Sequence, residues 1–511
     1  MKTLKRVLSL ILVSVMVLAM SLPVFAADVT MGSNGNAFAG YKLLDIESYT
    51  TDANGNHQII YKTNDTYRAI LQTVTGKTTD DEILEVLQGY TTDSAELLAI
   101  AKQIHAAVGT AEFASVEEND QQVFKGLDKG YYLFVETAVK TPADALKGPF
   151  DDFASPMLVN VLDENITVKK KDGEVTDDKE VKETDDSTPY TSDWQKHGDY
   201  DIGDHVPYKL TGTVSQNFDN YEKYFFKFYD VMDDGLTYDK NAKVYVDGTE
   251  ITTGFVIDDT HTAADGRKGF TVTFADLKKV AGVQGGSVIT VEFTATLNAK
   301  AIIGNPGNVN ESYIEYSNNP DTEDKGTTPK KIVVVFTYKL IVNKVNEQNQ
   351  PLEGAEFALY KLDQNAGAQI QDLVDLGYTG KYVKVAVTKD TTGTKFTSER
   401  IDDGKYLLVE TQTPDGYNSI APIEFEIVAT HAVDAATGLQ QITSLELVPA
   451  DPFSNIIYTP AAGTISADVV NTPGVLLPET GGMGTTIFYI VGALMVIGAG
   501  VVLVTRRRVQ K

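Results

Sequence analysis

Cysteine is absent from all 511 residues, which excludes disulfides, thiolate metal sites and a cysteine nucleophile. Histidine is scarce, six in all and never in HxH or HExxH spacing, so a zinc site is not expected. No GxSxG, P-loop or EF-hand pattern is present, and the acidic pairs Asp151-Asp152, Asp233-Asp234 and Asp258-Asp259 fall in expected turns or loops. Positive charge is also short: 44 Lys and Arg face 71 Asp and Glu, a formal −27. Seven of the cations (Lys2, Lys5, Arg6, Arg506, Arg507, Arg508 and Lys511) lie in two end segments that hold no acid, so residues 27–480 carry −34. Nucleic acid and anionic membrane repel such a chain, which excludes a phosphate-backbone reader. A 42% hydrophobic content with 25 Tyr and one Trp points to folded, strand-rich matter, and at roughly 150 residues per domain to about three domains.

The two ends fix the compartment. Residues 1–26 run from a basic start through an apolar stretch, Leu8 to Leu18, to Val24-Phe25-Ala26, the order of a secretory signal cleaved near Ala27. Met483 to Thr505 is uncharged and apolar for 23 residues, long enough for the ~30 Å hydrocarbon layer, and Arg506-Arg507-Arg508 hold its far end inside. Immediately before it stands Leu477-Pro478-Glu479-Thr480-Gly481. Motif, span and basic tail together resemble the cell-wall sorting signal of Gram-positive surface proteins. That resemblance implies that a sortase cleaves after Thr480, passes its carbonyl to an amine and leaves the span a transient membrane tether.

Between the ends the chain reads as short strands divided by turns, the pattern of a β-sandwich. Near the C-terminus these are Tyr338 to Lys344, Ala355 to Leu362, Gly404 to Thr411, Phe425 to Val428 and Ala467 to Asn471. The N-terminal part repeats pieces of this: Phe38-Ala-Gly-Tyr-Lys-Leu-Leu-Asp45 against Phe357 to Asp363, and Gly130 to Thr137 against Gly404 to Thr411. It also holds helical spacing over Asp65 to Val74 and Thr79 to Val108, and a last strand at Met157 to Leu162. In the middle, strands are expected at Asp204 to Val214, Tyr224 to Val231, Lys243 to Val246, Gly269 to Phe274, Val288 to Leu297 and Glu311 to Tyr316. The expected divisions are a signal peptide 1–26, an N-terminal sandwich with helical inserts 27–162, a charged linker or first strand 163–193, a middle domain 194–330, a last domain 331–474 and the sorting segment 475–511. The expected fold class is mainly β, tandem immunoglobulin-like (Cna-type) sandwiches followed by a transmembrane sorting helix.

Lys344, the Gly404–Tyr417 stretch with Tyr406, Glu410, Pro414, Gly416 and Tyr417, and the last-strand Asn471 resemble a Cna protein B-type domain. The stretch from Phe228 to Leu236, with Asp230, and Gly304 to Asn310 resemble the isopeptide-forming fimbrial domain. With export and sorting signals added, the chain resembles sortase-assembled major pilins of Gram-positive bacteria. The resemblance implies self-made Lys–Asn bonds: Lys344 as nucleophile, Asn471 as acceptor and Glu410 as assistant in the last domain; Lys179, Asn310 and Asp230 in the middle one. Lys169, Lys170, Lys171 and Lys182 compete with Lys179, and Asp233 or Asp234 with Asp230. No lysine lies between Ala27 and Tyr41, so no matching bond is expected in the first domain, and Glu136 and Asn160 are read as structural. The polymerising lysine implied by the family falls at Lys171, or at Lys169 or Lys170, though the Tyr-Pro of the family motif is missing.

The function implied is a structural subunit of a covalent surface fibre, a sortase substrate and not an enzyme, with no cofactor. Its expected partners are sortase and identical subunits, with minor pilins and peptidoglycan besides. The alternative is a wall-anchored monomeric adhesin or minor pilin engaging a host ligand, and a third reading is an anchored enzyme.

Overall fold

The computed structural model describes residues 26–31, 36–51, 57–92, 94–119, 121–139, 150–162, 164–168, 173–188, 190–474, 489–497 and 499. Residues 1–25, Lys169, Lys170, Lys171 and the motif Leu477 to Gly481 lie outside the described residues. The expected span over 483–505 is described mainly at 489–497, which are helical; among the described residues no helix is long and apolar enough to cross a membrane.

In the first domain the strand Ala37–Thr51 is paired on one side with His57–Thr63 and on the other with Gly130–Ala138, which pairs in turn with Met157–Val161. Three helices, Arg68–Thr75, Asp80–Gln88 and Ala95–Ala107, cover this sheet, burying Leu71, Ile83, Ile100 and Ile104 against Tyr41, Leu43 and Leu133. The single helical insert expected over 79–108 is two helices because the sequence punctuates it. Thr79 and Glu82 form a capping box at the start of the first, Gly89 ends it, and the Ser94 side chain accepts the Leu97 N–H to begin the next. A second sheet contains Ala27–Thr30, joined antiparallel to Gln121–Leu127 and parallel to Ile166–Thr167.

The middle domain is two sheets closed on one aromatic-rich core that includes Tyr208, Phe226, Phe228, Phe270 and Phe293. Of the two readings of the charged segment 163–193, linker or first strand, part of it takes the second as the edge strand of this domain. Asp177–Val181 pairs antiparallel with His205–Thr213, turning Lys179 and Val181 inward. The far boundary also shifts. Lys331–Phe336 pairs with Asn308–Ser317 as a strand of the middle domain, because the Val333–Phe336 run is buried throughout, as a two-sided strand demands. The domains therefore meet at Thr337.

The last domain packs two five-stranded sheets. Its first strand, Tyr338–Asn346, lies parallel to its last, Thr464–Asn471, over eight paired positions. Its first sheet also takes Thr388–Lys389, Lys395–Ile401 and Ser454–Thr459, and the second is Tyr382–Val385, Glu356–Leu362, Gly404–Gln412, Ile423–Val433 and Gln440–Val448.

The middle and last domains share a charged seam. Lys361, 2% exposed on the strand Glu356–Leu362, donates to Asp402 of its own domain (2.8 Å) and to Asp186 and Asp201 of the middle one (2.9 and 2.6 Å). Beside it, burial followed by mutual repulsion holds the carboxyls of Glu183, Asp402 and Asp403 well above the ordinary range. A single ammonium thus offsets several crowded acids, and removing it leaves buried charge unpaired. We expect Lys361→Met to cost about 3 kcal/mol or more in denaturant unfolding. The raised carboxyls mean that the folded seam binds protons the unfolded chain releases. Their contribution to stability therefore falls as pH rises from the ordinary carboxyl range through the raised values, and Asp403→Asn should flatten that slope in thermal unfolding followed against pH.

Candidate functional site

Strand alternation carries the last-domain site into the core. In Tyr338–Asn346 the residues Tyr338, Leu340, Val342 and Lys344 face inward, so the amine takes a place that the pattern reserves for an apolar group. In Thr464–Asn471 the inward set is Ile465, Ala467, Val469 and Asn471. Lys344 and Asn471 are both fully buried, on neighbouring parallel strands. Lys344 Nζ donates to the carbonyls of Val469 (2.9 Å) and Val345 (3.2 Å). Burial pushes this amine down to about 8, against the opposing pull of Glu410. Asn471 Nδ2 donates to both carboxylate oxygens of Glu410, at 2.9 and 3.2 Å, while its Oδ1 is buried without a hydrogen-bond partner.

The middle-domain site is drier. Lys179, Asp230 and Asn310 are all fully buried, on the strands Asp177–Val181, Phe226–Met232 and Asn308–Ser317. Lys179 Nζ donates to Asp230 Oδ2 in a very short contact. The stacked rings of Tyr208 and Phe293 flank the amine, 5.4 and 5.5 Å from their centroids. Burial pushes Lys179 down and Asp230 up, each opposed by the other's charge, so both are driven toward their neutral forms. Asp230 Oδ1 and both amide atoms of Asn310 are buried without a hydrogen-bond partner; Asn310 acts on the Asp230 carboxyl through a looser contact that favours its charged form. Gly269 makes the close packing possible, since a Cβ there would fall 1.8 Å from the Asp230 carbonyl oxygen.

The structure thus brings together each expected trio. The competing residues stand elsewhere: Lys182 lies over the Trp194 ring, and Asp233 receives the Val309 N–H and faces Arg267. Lys300 approaches Asp234. In the first domain Asn160 is exposed and accepts the Tyr61 hydroxyl, while buried Glu136 accepts the Ala154 N–H. Sequence reading missed the aromatic pair around Lys179, and it missed Thr413 and Ile420, whose hydroxyl and N–H donate to Glu410 Oε2 at 3.1 and 3.3 Å.

Serial two-sheet domains with a buried lysine, acid and asparagine in two of them define a modular β-sandwich protein. Comparison with known proteins assigns three segments of the chain. Residues 202–320 match the Gram-positive pilin backbone subunit 2, Cna-B-like domain; residues 338–438 match the SpaA prealbumin-like fold domain; residues 470–511 match the LPXTG cell wall anchor motif. The chain thus carries a Gram-positive pilin backbone domain, a SpaA-type domain and an LPXTG cell-wall anchor motif. It is 26% identical over 278 residues to the trypsin-resistant surface T6 protein of Streptococcus pyogenes serotype M6, a match covering 43% of this chain and 48% of that protein. It therefore spans about half the length of the curated relative it matches. The solved T6 backbone pilin of the same organism is alike in fold, with TM-score 0.54 and 18% identity over 88% of this chain and 98% of that one. The full-length major pilin SpaD of Corynebacterium diphtheriae gives TM-score 0.46 and 20% identity over 88% and 98%.

The trios have a stability consequence that can be measured. Asp230→Ala removes the one carboxylate in contact with a fully buried amine, and unfolding in denaturant should show a loss of at least about 3 kcal/mol.

Proposed function

We propose that the chain is the structural subunit of a covalently polymerised surface fibre, stiffened by two self-made Lys–Asn bonds. Sortase joins Thr480 of one subunit to Lys171, or Lys169 or Lys170, of the next. Joining head to tail is a heterologous contact that does not close, so it extends as a filament. The observation that carries the reading is the pair of buried lysine, acid and asparagine trios in a chain that also has an LPXTG anchor.

The chemistry follows from burial. A neutral Lys Nζ attacks the asparagine Cγ, and one amine proton passes by way of the acid to the departing Nδ2. The Cγ–Nδ2 bond breaks, ammonia leaves, and an amide joins Nζ to Cγ. Lys344–Asn471 would tie the first strand of the last domain to its last strand. Lys179–Asn310 would tie the edge strand of the middle domain to the strand before its exit. With no cysteine available, these amides would take the place disulfides hold in other exported domains.

Intact mass of residues 27–480 should show two losses of roughly 17 Da, one ammonia per bond, and Lys344→Ala and Asn310→Ala should each restore one. No loss would sink the internal crosslinks. Because burial pushes Lys344 down to about 8, its bond should form faster as pH rises through about 8 and level off above it, whereas the Lys179 bond, made beside its own acid, should vary less. Boiled, detergent-treated wall extracts should give ladders of high mass that Thr480→Ala abolishes; a single wall-linked band would favour the monomeric adhesin.

A further inference from the structure

The two trios place their acids differently. In the middle domain the acid touches the nucleophile: Lys179 donates directly to Asp230. In the last domain the acid touches the acceptor. Both oxygens of Glu410 receive Asn471 Nδ2, and Lys344 Nζ donates instead to the main-chain carbonyls of Val345 and Val469. Glutamate has one more rotatable bond than aspartate, so something must keep its carboxylate turned to the amide. Two further donors meet Glu410 Oε2: the Thr413 hydroxyl at 3.1 Å and the Ile420 N–H at 3.3 Å.

Both donors come from the loop between the strands Gly404–Gln412 and Ile423–Val433, and that loop is fastened to the chain just beyond the acceptor. The Asn418 N–H donates to the Thr472 carbonyl at 2.9 Å, the Gly474 N–H donates to the Gly416 carbonyl at 2.8 Å, and Asn418 Nδ2 donates to the Pro473 carbonyl at 3.2 Å. Tyr417 and Pro473 are bridged as an antiparallel pair. The loop is thus tied by hydrogen bonds to the residues that follow Asn471.

We propose that Thr413 is a positioning residue for the last-domain bond: with the Ile420 N–H it holds Glu410 on the departing nitrogen of Asn471. This inference rests on the proposed ligation. Glu410 there receives the proton that Lys344 Nζ loses as its bond to Cγ forms, and delivers it to Nδ2 as the Cγ–Nδ2 bond breaks and ammonia leaves. Thr413 exchanges no proton with the substrate groups; it acts through the carboxylate.

Residues 27–480 made in a cell-free reaction, quenched at intervals and digested, give the rate of each bond separately by mass. Thr413→Val should slow Lys344–Asn471 formation about tenfold, the order expected for losing a hydroxyl donor to a carboxylate. Thr413→Ser keeps the donor and should stay within about twofold of the native rate. The rise of rate with pH through about 8 belongs to Lys344 and should keep its midpoint in Thr413→Val while the plateau above it drops. Lys179–Asn310 formation in the same molecules should be unchanged, which reports that the chain has folded. A native rate in Thr413→Val, an equal loss in Thr413→Ser, or a slowing of both bonds together overturns the inference. Absence of the Lys344–Asn471 bond from the native protein overturns the ligation itself and this inference with it.

Discussion

The structure depends on placing an amine where strand alternation calls for an apolar side chain. A buried ammonium is costly unless paired, and neither site provides full pairing in the ordinary sense. Lys344 has two main-chain carbonyls and a distant carboxylate; Lys179 has one carboxyl between two aromatic rings. Each amine is pushed toward its neutral form, which is the form that can act as a nucleophile. Left unreacted, these groups would weaken their sandwiches. Converted into the proposed amides, they would cease to be charges at all, so the same burial that is a liability in the nascent fold would become harmless.

The sites reach that end by different routes. A direct Lys179–Asp230 contact lets the proton move within the pair, and the aromatic walls keep water from stabilising the ions. At Lys344 the acid is engaged with the amide instead, so neutralising the ammonium before attack is left to its buried surroundings, and its value of about 8 governs how much free amine is ready. Gly269 and Thr413 mark the two solutions: the first removes a side chain so that the strand bearing Asp230 can pack closely, the second adds a donor that fixes Glu410.

How much of this was legible in the sequence depended on local pattern. Lys344 stands in the register of Tyr338, Leu340 and Val342, so its inward direction could be read from alternation alone. Asp204 to Val214 and Val288 to Leu297 alternate as cleanly and were found almost to their observed limits, His205–Thr213 and Val288–Leu297. Lys179 could not be singled out that way, because Asp177–Val181 has little apolar periodicity and looks like the charged stretch around it; only pairing with His205–Thr213 distinguishes it from its neighbours. The strand Lys331–Phe336 was assigned to the last domain because nothing in its composition says which sheet claims it. Lys361 was invisible for a deeper reason: two of its partners lie 160 and 175 residues earlier, and no local rule links them.

The position of the last-domain trio bears on how the proposed fibre would carry load. Eight residues lie between Asn471 and Thr480, a reach of about 30 Å for extended chain. Tension entering at Thr480 would pass along that short leash to Asn471 and then across an amide to Lys344, on the strand next to it. From Lys344 it runs back toward Tyr338 and into Lys331–Phe336, which is already a strand of the middle sheet. The hydrogen-bonded interior of the last domain lies beside this path and not on it. The seam around Lys361 lies off the path as well, so its part is to set the angle between the domains while the covalent route sets their separation. Bending between domains and extension along the chain would thereby depend on different chemistry, ion pairs at the seam for the first and the proposed amides for the second. Salt and pH should therefore act on the bending of such a fibre and leave its contour length alone.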